Sequence, residues 1–325
     1  MRQFFNIVFG GLMTVAIAIG IAYMGGWVWQ TAWPHIAGWK LPPLVSMTSA
    51  MISNPSDGTS VIGMHRIIRY SALEEESQED LITAATLALP SNQKNISALS
   101  YIVTDLTHHT VVSESQPDRL LPIASLTKLV TAVIAKRLID PSSRVTLTGD
   151  IIDTYGNTAS FRAGEIFQAE DLFYPLLLVS SNDAAEALAQ SYGRKKFIQA
   201  MNDFTQSIGA YRTYFDDPSG LSANNVSTAS DMTRIIDWIR LHDPSIIATT
   251  ALKSKTVRGH TWTNPTRLLN WSSYIGGKNG YIPEAANTTA SLFAIGPNKN
   301  LYAVVLLGSR SRDADIIRLL DRLPK

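Results

Sequence analysis

Pro122-Ile-Ala-Ser-Leu-Thr-Lys-Leu-Val-Thr131 begins a helix-like segment, and the reading of this stretch decides the fold. The third residue along a helix returns to nearly the same face, so the Ser125 hydroxyl and the Lys128 amine can meet. Ile123, Leu126, Leu129 and Val130 make the surroundings apolar. A lysine held among such side chains loses part of its affinity for a proton. Taken alone, Ser-x-x-Lys also reads as an ordinary helix cap followed by a solvated lysine. A second copy, Ser91-Asn-Gln-Lys94, stands in connector-like sequence. The pattern predicts a long amphipathic helix over 125–139.

Upstream, Ser100 to Asp105 and Thr110 to Ser113 predict a hairpin around Thr107-His-His109, a turn that leaves His108 and His109 in solvent. Downstream, helices are predicted over 168–178, 183–192, 194–208 and 228–241, the last with Ile235, Ile236, Trp238 and Ile239 on its apolar side. Strands follow over 253–257, 273–280, 287–295 and 300–308, and then a final helix over 312–323. Strands joined by turns as short as those within 287–308 pair antiparallel, because parallel neighbours need long crossovers. The order of strand pair, helical block, strands and terminal helix predicts an α+β fold. An antiparallel sheet is covered by helices and carries a helical insertion.

Two more motifs lie in this region. Ser180-Ser-Asn182 falls between the apolar run Leu172–Val179 and the helix that starts near Asp183. Lys278-Asn-Gly280 falls late on a predicted strand after Gly276-Gly277. Each is ordinary by itself. Ser-x-Asn is common in turns, and Ser222-Ala-Asn224 is another instance. Lys-x-Gly is common where an edge strand runs into a turn. The combination is informative: Ser-x-x-Lys, Ser-x-Asn and Lys-x-Gly occur in that order, in a helix start, an interhelical loop and a strand.

With its flanks, this set resembles the D-alanyl-D-alanine carboxypeptidase family of low-molecular-mass penicillin-binding proteins. The stretches that carry the resemblance are Ala124-Ser-Leu-Thr-Lys-Leu129, Ser180-Ser-Asn-Asp-Ala-Ala185, Asp217-Pro-Ser-Gly-Leu-Ser222, Ser227-Thr-Ala-Ser-Asp231 and Gly277-Lys-Asn-Gly-Tyr281. The resemblance covers about residues 97–325 and implies a β-lactamase/transpeptidase-like fold with a helical subdomain. It also implies the site. Ser125 attacks a carbonyl and forms an acyl-enzyme, Lys128 takes the serine proton, and Ser180 relays a proton to the leaving amine. Asn182 bonds Lys128 and the substrate amide. Lys278 faces the substrate carboxylate, Gly280 admits the substrate backbone, and the N–H groups of Ser125 and Tyr281 hold the oxyanion. Two positions depart from the family: Asn279 and Ile282 stand where threonines are usual. The implied activity is a serine-type D-Ala-D-Ala carboxypeptidase acting on peptidoglycan stem peptides, with β-lactams as covalent inhibitors. The alternatives are a DD-endopeptidase that cuts cross-links and a wall-peptide or penicillin sensor without turnover. A class A β-lactamase would need a glutamate-held water. Glu165 and Glu186 suit helix-face or loop roles better.

A serine hydroxyl needs a base before it can attack. None of the six His residues stands in a triad setting, and no Gly-x-Ser-x-Gly elbow occurs, so lysine is the economical base. No cofactor or metal site is expected. The chain has no cysteine, which excludes thiol nucleophiles, disulfide scaffolds and zinc–cysteine centres. Lys plus Arg total 28 against 27 Asp plus Glu, without the basic excess of a nucleic-acid binder.

Charged residues make up only 17% of the 325. Part of the reason lies at the N-terminus, where no Asp, Glu, Lys or Arg occurs between Arg2 and Lys40. The apolar run from Phe4 to Trp29 has the length a helix needs to cross a bilayer. Four of the seven Trp residues, Trp27, Trp29, Trp33 and Trp39, form an aromatic belt at its distal end. With Arg2 on the proximal side, residues 1–29 are expected to be a single-pass anchor with a cytoplasmic N-terminus in the cell membrane; the alternative is a cleaved signal peptide, whose apolar region is usually only about 7–15 residues. Residues 30–96 are an extracytoplasmic connector with a strand near 60–70 and a helix over 72–89. Residues 97–325 form the peptidase domain, outside the cytoplasm.

Overall fold

The computed structural model describes residues 96–156 and 158–323. The readings of residues 1–95, including the anchor, most of the connector and the Ser91–Lys94 copy, lie outside the described residues. In chain order the elements are β1 (Ser100–Asp105), β2 (Thr110–Ser115), β3 (Leu121–Pro122), α1 (Thr127–Leu138), β4 (Arg144–Thr146), α2 (Gly149–Ile152) and β5 (Ile166–Gln168). There follow α3 (Phe173–Leu178), α4 (Asn182–Tyr192), α5 (Arg194–Ser207), β6 (Val226–Ser227), α6 (Ala229–His242) and α7 (Pro244–Thr250). The chain then returns to strands, β7 (Ser254–Val257), β8 (His260–Thr263), β9 (Tyr274–Ile282), β10 (Ala286–Ile295) and β11 (Asn300–Ser309), before α8 (Arg312–Leu320).

The main sheet has five strands in the order β2-β1-β11-β10-β9, and every neighbouring pair is antiparallel. It is covered on both faces. Successive side chains of a strand point to opposite faces, and β11 shows the result. Tyr302, Val304 and Leu306 join one apolar cluster with Ile316 and Leu319 of α8. Ala303, Val305 and Leu307 join the other, larger cluster with α1 and α6. A strand buried on both sides reads as the unbroken apolar run Leu301–Leu307 rather than as an alternation.

Helix α1 differs from the expectation of an amphipathic helix starting at Ser125. Its residues Thr127–Ala135 are all buried, and Ser125 itself sits in a 3₁₀ turn, Ala124–Leu126, that leads into it. The polar residues of its buried part, Thr127, Lys128 and Thr131, do not face water, whereas Lys136 and Arg137 in the last turn do. Thr131 Oγ1 donates to the Pro218 carbonyl at 2.6 Å, and Thr127 Oγ1 to that of Ala124 at 2.8 Å. Leu129, Val130, Val133 and Ile134 are buried around them, each stabilising the fold by about 1.5–3 kcal/mol. The helix is thus an axle of the helical region, with its polar N-terminal end turned toward β9.

A second brace holds the loop after α2. His260 and Trp262 of β8 pack against Phe161 and Phe167. Trp262 Nε1 donates to the Ala159 carbonyl at 3.1 Å, and His260 Nε2 lies 3.1 Å from Glu165. Glu186 is engaged by Arg194 through two hydrogen bonds. Both glutamates are therefore occupied in structural contacts.

Candidate active site

The 3₁₀ turn that carries Ser125 is gripped from two sides. Ala124 has φ 49°, a left-handed conformation that costs a non-glycine residue free energy. Gly220 packs against this turn at φ +87°; a Cβ added there would lie 2.0 Å from the Ala124 carbonyl oxygen. Gly280 of β9 closes from the other side, where a Cβ would come 2.8 Å from the Ser125 backbone nitrogen and 2.7 Å from Thr288 Oγ1. Only a bare backbone fits at either position.

One helical turn on, Lys128 is fully buried. Its Nζ reaches Ser125 Oγ at 3.1 Å, Asn182 Oδ1 at 2.7 Å and the Ser219 carbonyl at 2.5 Å. As an ammonium Lys128 would donate one proton to each of these partners; as a neutral amine it donates two, to Asn182 and the Ser219 carbonyl, and its lone pair accepts from the Ser125 hydroxyl. Burial pushes the Lys128 pKa well below the ordinary lysine range, and the nearby Lys278 pushes it further. Asp217 and Asp183 pull the other way.

The Ser219 carbonyl is aimed by Asp217. That carboxylate accepts from Ser219 N, Ser219 Oγ, Gly220 N and Ser222 N, all within 2.8 Å. Asp-Pro-Ser-Gly is a turn-forming sequence, and here the turn presents one carbonyl to a buried amine. Ser222-Ala-Asn224 lies just beyond as a surface turn, with Ser222 and Asn224 bonded to each other and to Asp216.

Ser180-Ser-Asn182 links α3 to α4. Ser181 caps α4 by accepting from Ala184 N at 3.1 Å. Ser180 has φ 60°. The Asn182 amide is fixed at both ends, its Oδ1 toward Lys128 and its Nδ2 donating to the Tyr155 carbonyl at 2.7 Å. The loop braced by Trp262 therefore sets the orientation of Asn182.

On β9, Lys278 is buried, and its pKa is lowered to about 7, first by burial and then by Arg312. Its Nζ donates to the Asn279 carbonyl at 2.8 Å. The Asn279 side chain donates to Thr266 Oγ1 at 3.1 Å and accepts from Thr289 Oγ1 at 2.8 Å. Both ends of its amide are thus held by threonines, one of them on β10. Ser180, Lys278, Asn279, Thr266 and Arg312 line a cleft of about 290 Å³. Ser125, Lys128 and Asn182 meet beside this cleft rather than in its wall, and the Tyr281 ring is 64% exposed.

Sequence reasoning singled out eight positions. Ser125, Lys128 and Asn182 share hydrogen bonds. Gly280 abuts the Ser125 turn, and Ser180, Lys278 and Asn279 share the cleft. Tyr281 is the next residue of β9 after Gly280. The sequence reading missed Arg312, which begins α8, thirty-four residues beyond Lys278 with no local signal to connect them. It also missed the Asp217–Ser219 brace, although its turn-forming residues were visible.

The D-alanyl-D-alanine carboxypeptidase (peptidase S11) family model matches residues 87–310. The chain is 30% identical over 252 residues to a D-alanyl-D-alanine endopeptidase of Escherichia coli (strain K12), a match covering 73% of this chain and 81% of that protein. It is also 30% identical over 237 residues to D-alanyl-D-alanine carboxypeptidase DacB2 of Mycobacterium tuberculosis, covering 70% and 79% respectively. The crystal structure of a D-alanyl-D-alanine carboxypeptidase from Mycobacterium tuberculosis H37Rv superposes with a TM-score of 0.64 at 28% identity, covering 69% of this chain and 90% of that one. A mutant of the Streptomyces K15 DD-transpeptidase gives 0.64 at 25% identity, covering 70% and 96%. The motif order, the fold and these matches agree: the chain belongs to the D-alanyl-D-alanine carboxypeptidase family of serine DD-peptidases.

Proposed function

We propose that this protein hydrolyses the bond after a D-alanyl residue in peptidoglycan stem peptides, as a serine-type D-Ala-D-Ala carboxypeptidase working through an acyl-enzyme on Ser125. The observation that carries this reading is the fully buried Lys128 amine 3.1 Å from Ser125 Oγ. Its burial and the neighbouring Lys278 favour the neutral form that a base requires.

In this reading Ser125 Oγ bonds to the substrate carbonyl carbon as its proton passes to Lys128. The N–H groups of Ser125 and Tyr281 take the developing oxyanion, a contribution of about 3 kcal/mol per donor. Ser180 passes a proton to the leaving amine as the C–N bond breaks, and water then hydrolyses the ester. Asn182 holds Lys128 and contacts the substrate amide. Lys278 and Arg312 form the cationic wall that receives the carboxylate of the leaving residue. Asn279 stiffens that wall through its two threonine contacts. A β-lactam, whose strained amide presents the same carbonyl, acylates Ser125 by the same route.

A second reading is a DD-endopeptidase that cuts cross-links. It is favoured by the Escherichia coli relative and by one from Pseudomonas aeruginosa that is 31% identical over 241 residues, both named D-alanyl-D-alanine endopeptidase. Incubating the full-length chain with defined monomeric and cross-linked muropeptides, with mass analysis of products, tests both. Release of free D-alanine over many turnovers supports the first reading, and conversion of dimers to monomers the second. Neither product, with covalent penicillin labelling intact, would point to a sensor without turnover.

We also place residues 1–29 as a membrane anchor and 30–96 as a connector that holds the 97–325 peptidase domain outside the cell membrane. The support is the apolar run, its aromatic belt and Arg2. Alkaline extraction of membranes and protease protection of spheroplasts test this placement. Release by carbonate would contradict the anchor.

A further inference from the structure

Asp183 is the one described residue with both side-chain carboxylate oxygens buried and without a hydrogen-bond partner among the described residues. Its exposure is 0%. A buried carboxylate normally recruits donors, because its desolvation is costly when they are missing. Here that cost is borne within the first turn of α4, one residue after the Asn182 that bonds Lys128. The positive end of an eleven-residue helix favours negative charge at this position.

We propose that Asp183 is the buried counter-charge for Lys128, a positioning residue that stabilises the ammonium formed when the proton leaves Ser125. The inference rests on the reading of Lys128 as the base. It gives a reason for a carboxylate to stay buried and unbonded. A direct ion pair would fix Lys128 as a permanent ammonium, useless as a base. A carboxylate that shares no hydrogen bond with the amine leaves it free to lose its proton and still stabilises it on protonation. The burial of Asp183 and the charge of Lys128 act on it in opposite directions. Burial, the larger effect, raises its pKa to about 6, and Lys128 draws it back down.

The other charged groups on elements packed against α4 are exposed or engaged elsewhere: on α5, Lys195, Lys196 and Asp203 are exposed, and on α1, Lys136 pairs with Asp243 and Arg137 lies over Phe204 and Trp238. Glu186, on α4 itself, is paired with Arg194 of α5. Asp150 of α2 is exposed and bonded to Thr148 and Gln190. Arg144 of β4 is exposed. Glu170 is exposed, and Asp171, in the 3₁₀ turn before α3, lies 3.9 Å from Arg258. Asp217 and Lys278 act on the same amine, in opposite directions. Lys128 is the charge that reaches Asp183.

The test is the pH dependence of acylation by a fluorescent penicillin, using the full-length chain in mild detergent. Removing an anion makes the Lys128 ammonium less stable, so its amine becomes neutral at lower pH. In Asp183→Asn the acid limb of the acylation rate should move down by about half a pH unit or more, and the plateau should fall about 3- to 10-fold because the base is weaker. A folded Asp183→Asn protein with an unmoved limb and an unchanged plateau overturns the proposal. Should this variant not fold, aspartate ¹³Cγ resonances are titrated in the wild type and in Lys128→Met. Loss of the nearby cation should move the Asp183 midpoint upward, and an unmoved midpoint overturns the proposal. The parent reading has its own readout. If Lys128→Met acylates at the wild-type rate, the base assignment has failed. If it does not acylate and Asp183→Asn keeps the wild-type profile, only the counter-charge has failed.

Discussion

The amine of Lys128 lies 3.1 Å from the hydroxyl of Ser125 and is inaccessible to solvent. The pair is one turn apart in sequence, yet its chemistry depends on the Ser219 carbonyl, ninety-one residues from Lys128, and on Asn182, fifty-four away. Replacing Lys128 by Met keeps the bulk and removes the base. Penicillin acylation of Lys128→Met should fall by about 10²–10⁴-fold. Stopped-flow labelling measures this, with a thermal melt to show that the variant is folded. Labelling at the wild-type rate would contradict the mechanism.

Gly280 admits no side chain between β9 and the Ser125 turn. Gly280→Ala must displace either the Ser125 amide or Thr288. A destabilisation of about 1–3 kcal/mol is expected, visible in chemical denaturation. Acylation should drop about 10²-fold, since misplacing reacting groups by an ångström can cost that much. Wild-type acylation in this variant would show that the backbone contact does not set the geometry of Ser125.

Arg312 and Lys278 make a cationic wall. Arg312→Ala should raise KM for a peptide ending in a free carboxylate by about 10-fold or more, the scale of a lost charge-assisted hydrogen bond. An amide-capped peptide should be affected much less. The pH profile gives a second sign. Arg312 helps lower the Lys278 pKa, so its removal raises that pKa, and the ammonium persists to higher pH. The alkaline loss of carboxylate binding, expected near pH 7 in the free enzyme, should move upward in Arg312→Ala. A shift toward lower pH would refute the coupling.

Asp217 receives four donors in one loop. In Asp217→Ala those buried donors lose their acceptor, at a cost of about 2–4 kcal/mol. Acylation should fall as well, because the Ser219 carbonyl is no longer held against Lys128. An unfolding free energy unchanged from wild type would show the brace to be dispensable.

Much of this molecule could be read from local pattern. The hairpin around Thr107–His109, strands β7 and β9 to β11, and helices α4 to α6 follow periodicities that their own residues carry, whereas β8 is not among the predicted strands. Ser125 and Lys128 were legible for the same reason, being three residues apart. The missing pieces depend on distant partners. Helix α7 has seven residues and too weak a signal alone; it exists because Ile246 and Ile247 are buried and Thr250 bonds to Gly277 N of β9. Strands β4 and β5 are three residues each and exist by pairing with one another. Helix α1 looked amphipathic because Thr127, Lys128 and Thr131 are polar, but those groups bond to buried partners. Asp183 looked like an ordinary acidic residue in a helix's first turn, and only its burial shows otherwise. Arg312 was invisible because the sheet, not the local sequence, brings it to Lys278.

The pairing of β1 with β11 has a consequence for synthesis. Ser100 lies opposite Leu307 in the middle of the main sheet. A growing polypeptide therefore displays its nucleophile long before the central strand exists to complete that sheet. Contacts so far apart along the chain close late. A ribosome paused before residue 300, or a product truncated there, would leave β1 paired with β2 alone and β10 with β9 alone, the two halves of the sheet unjoined. The hydrolytic machinery is thereby armed only after nearly the whole chain has emerged.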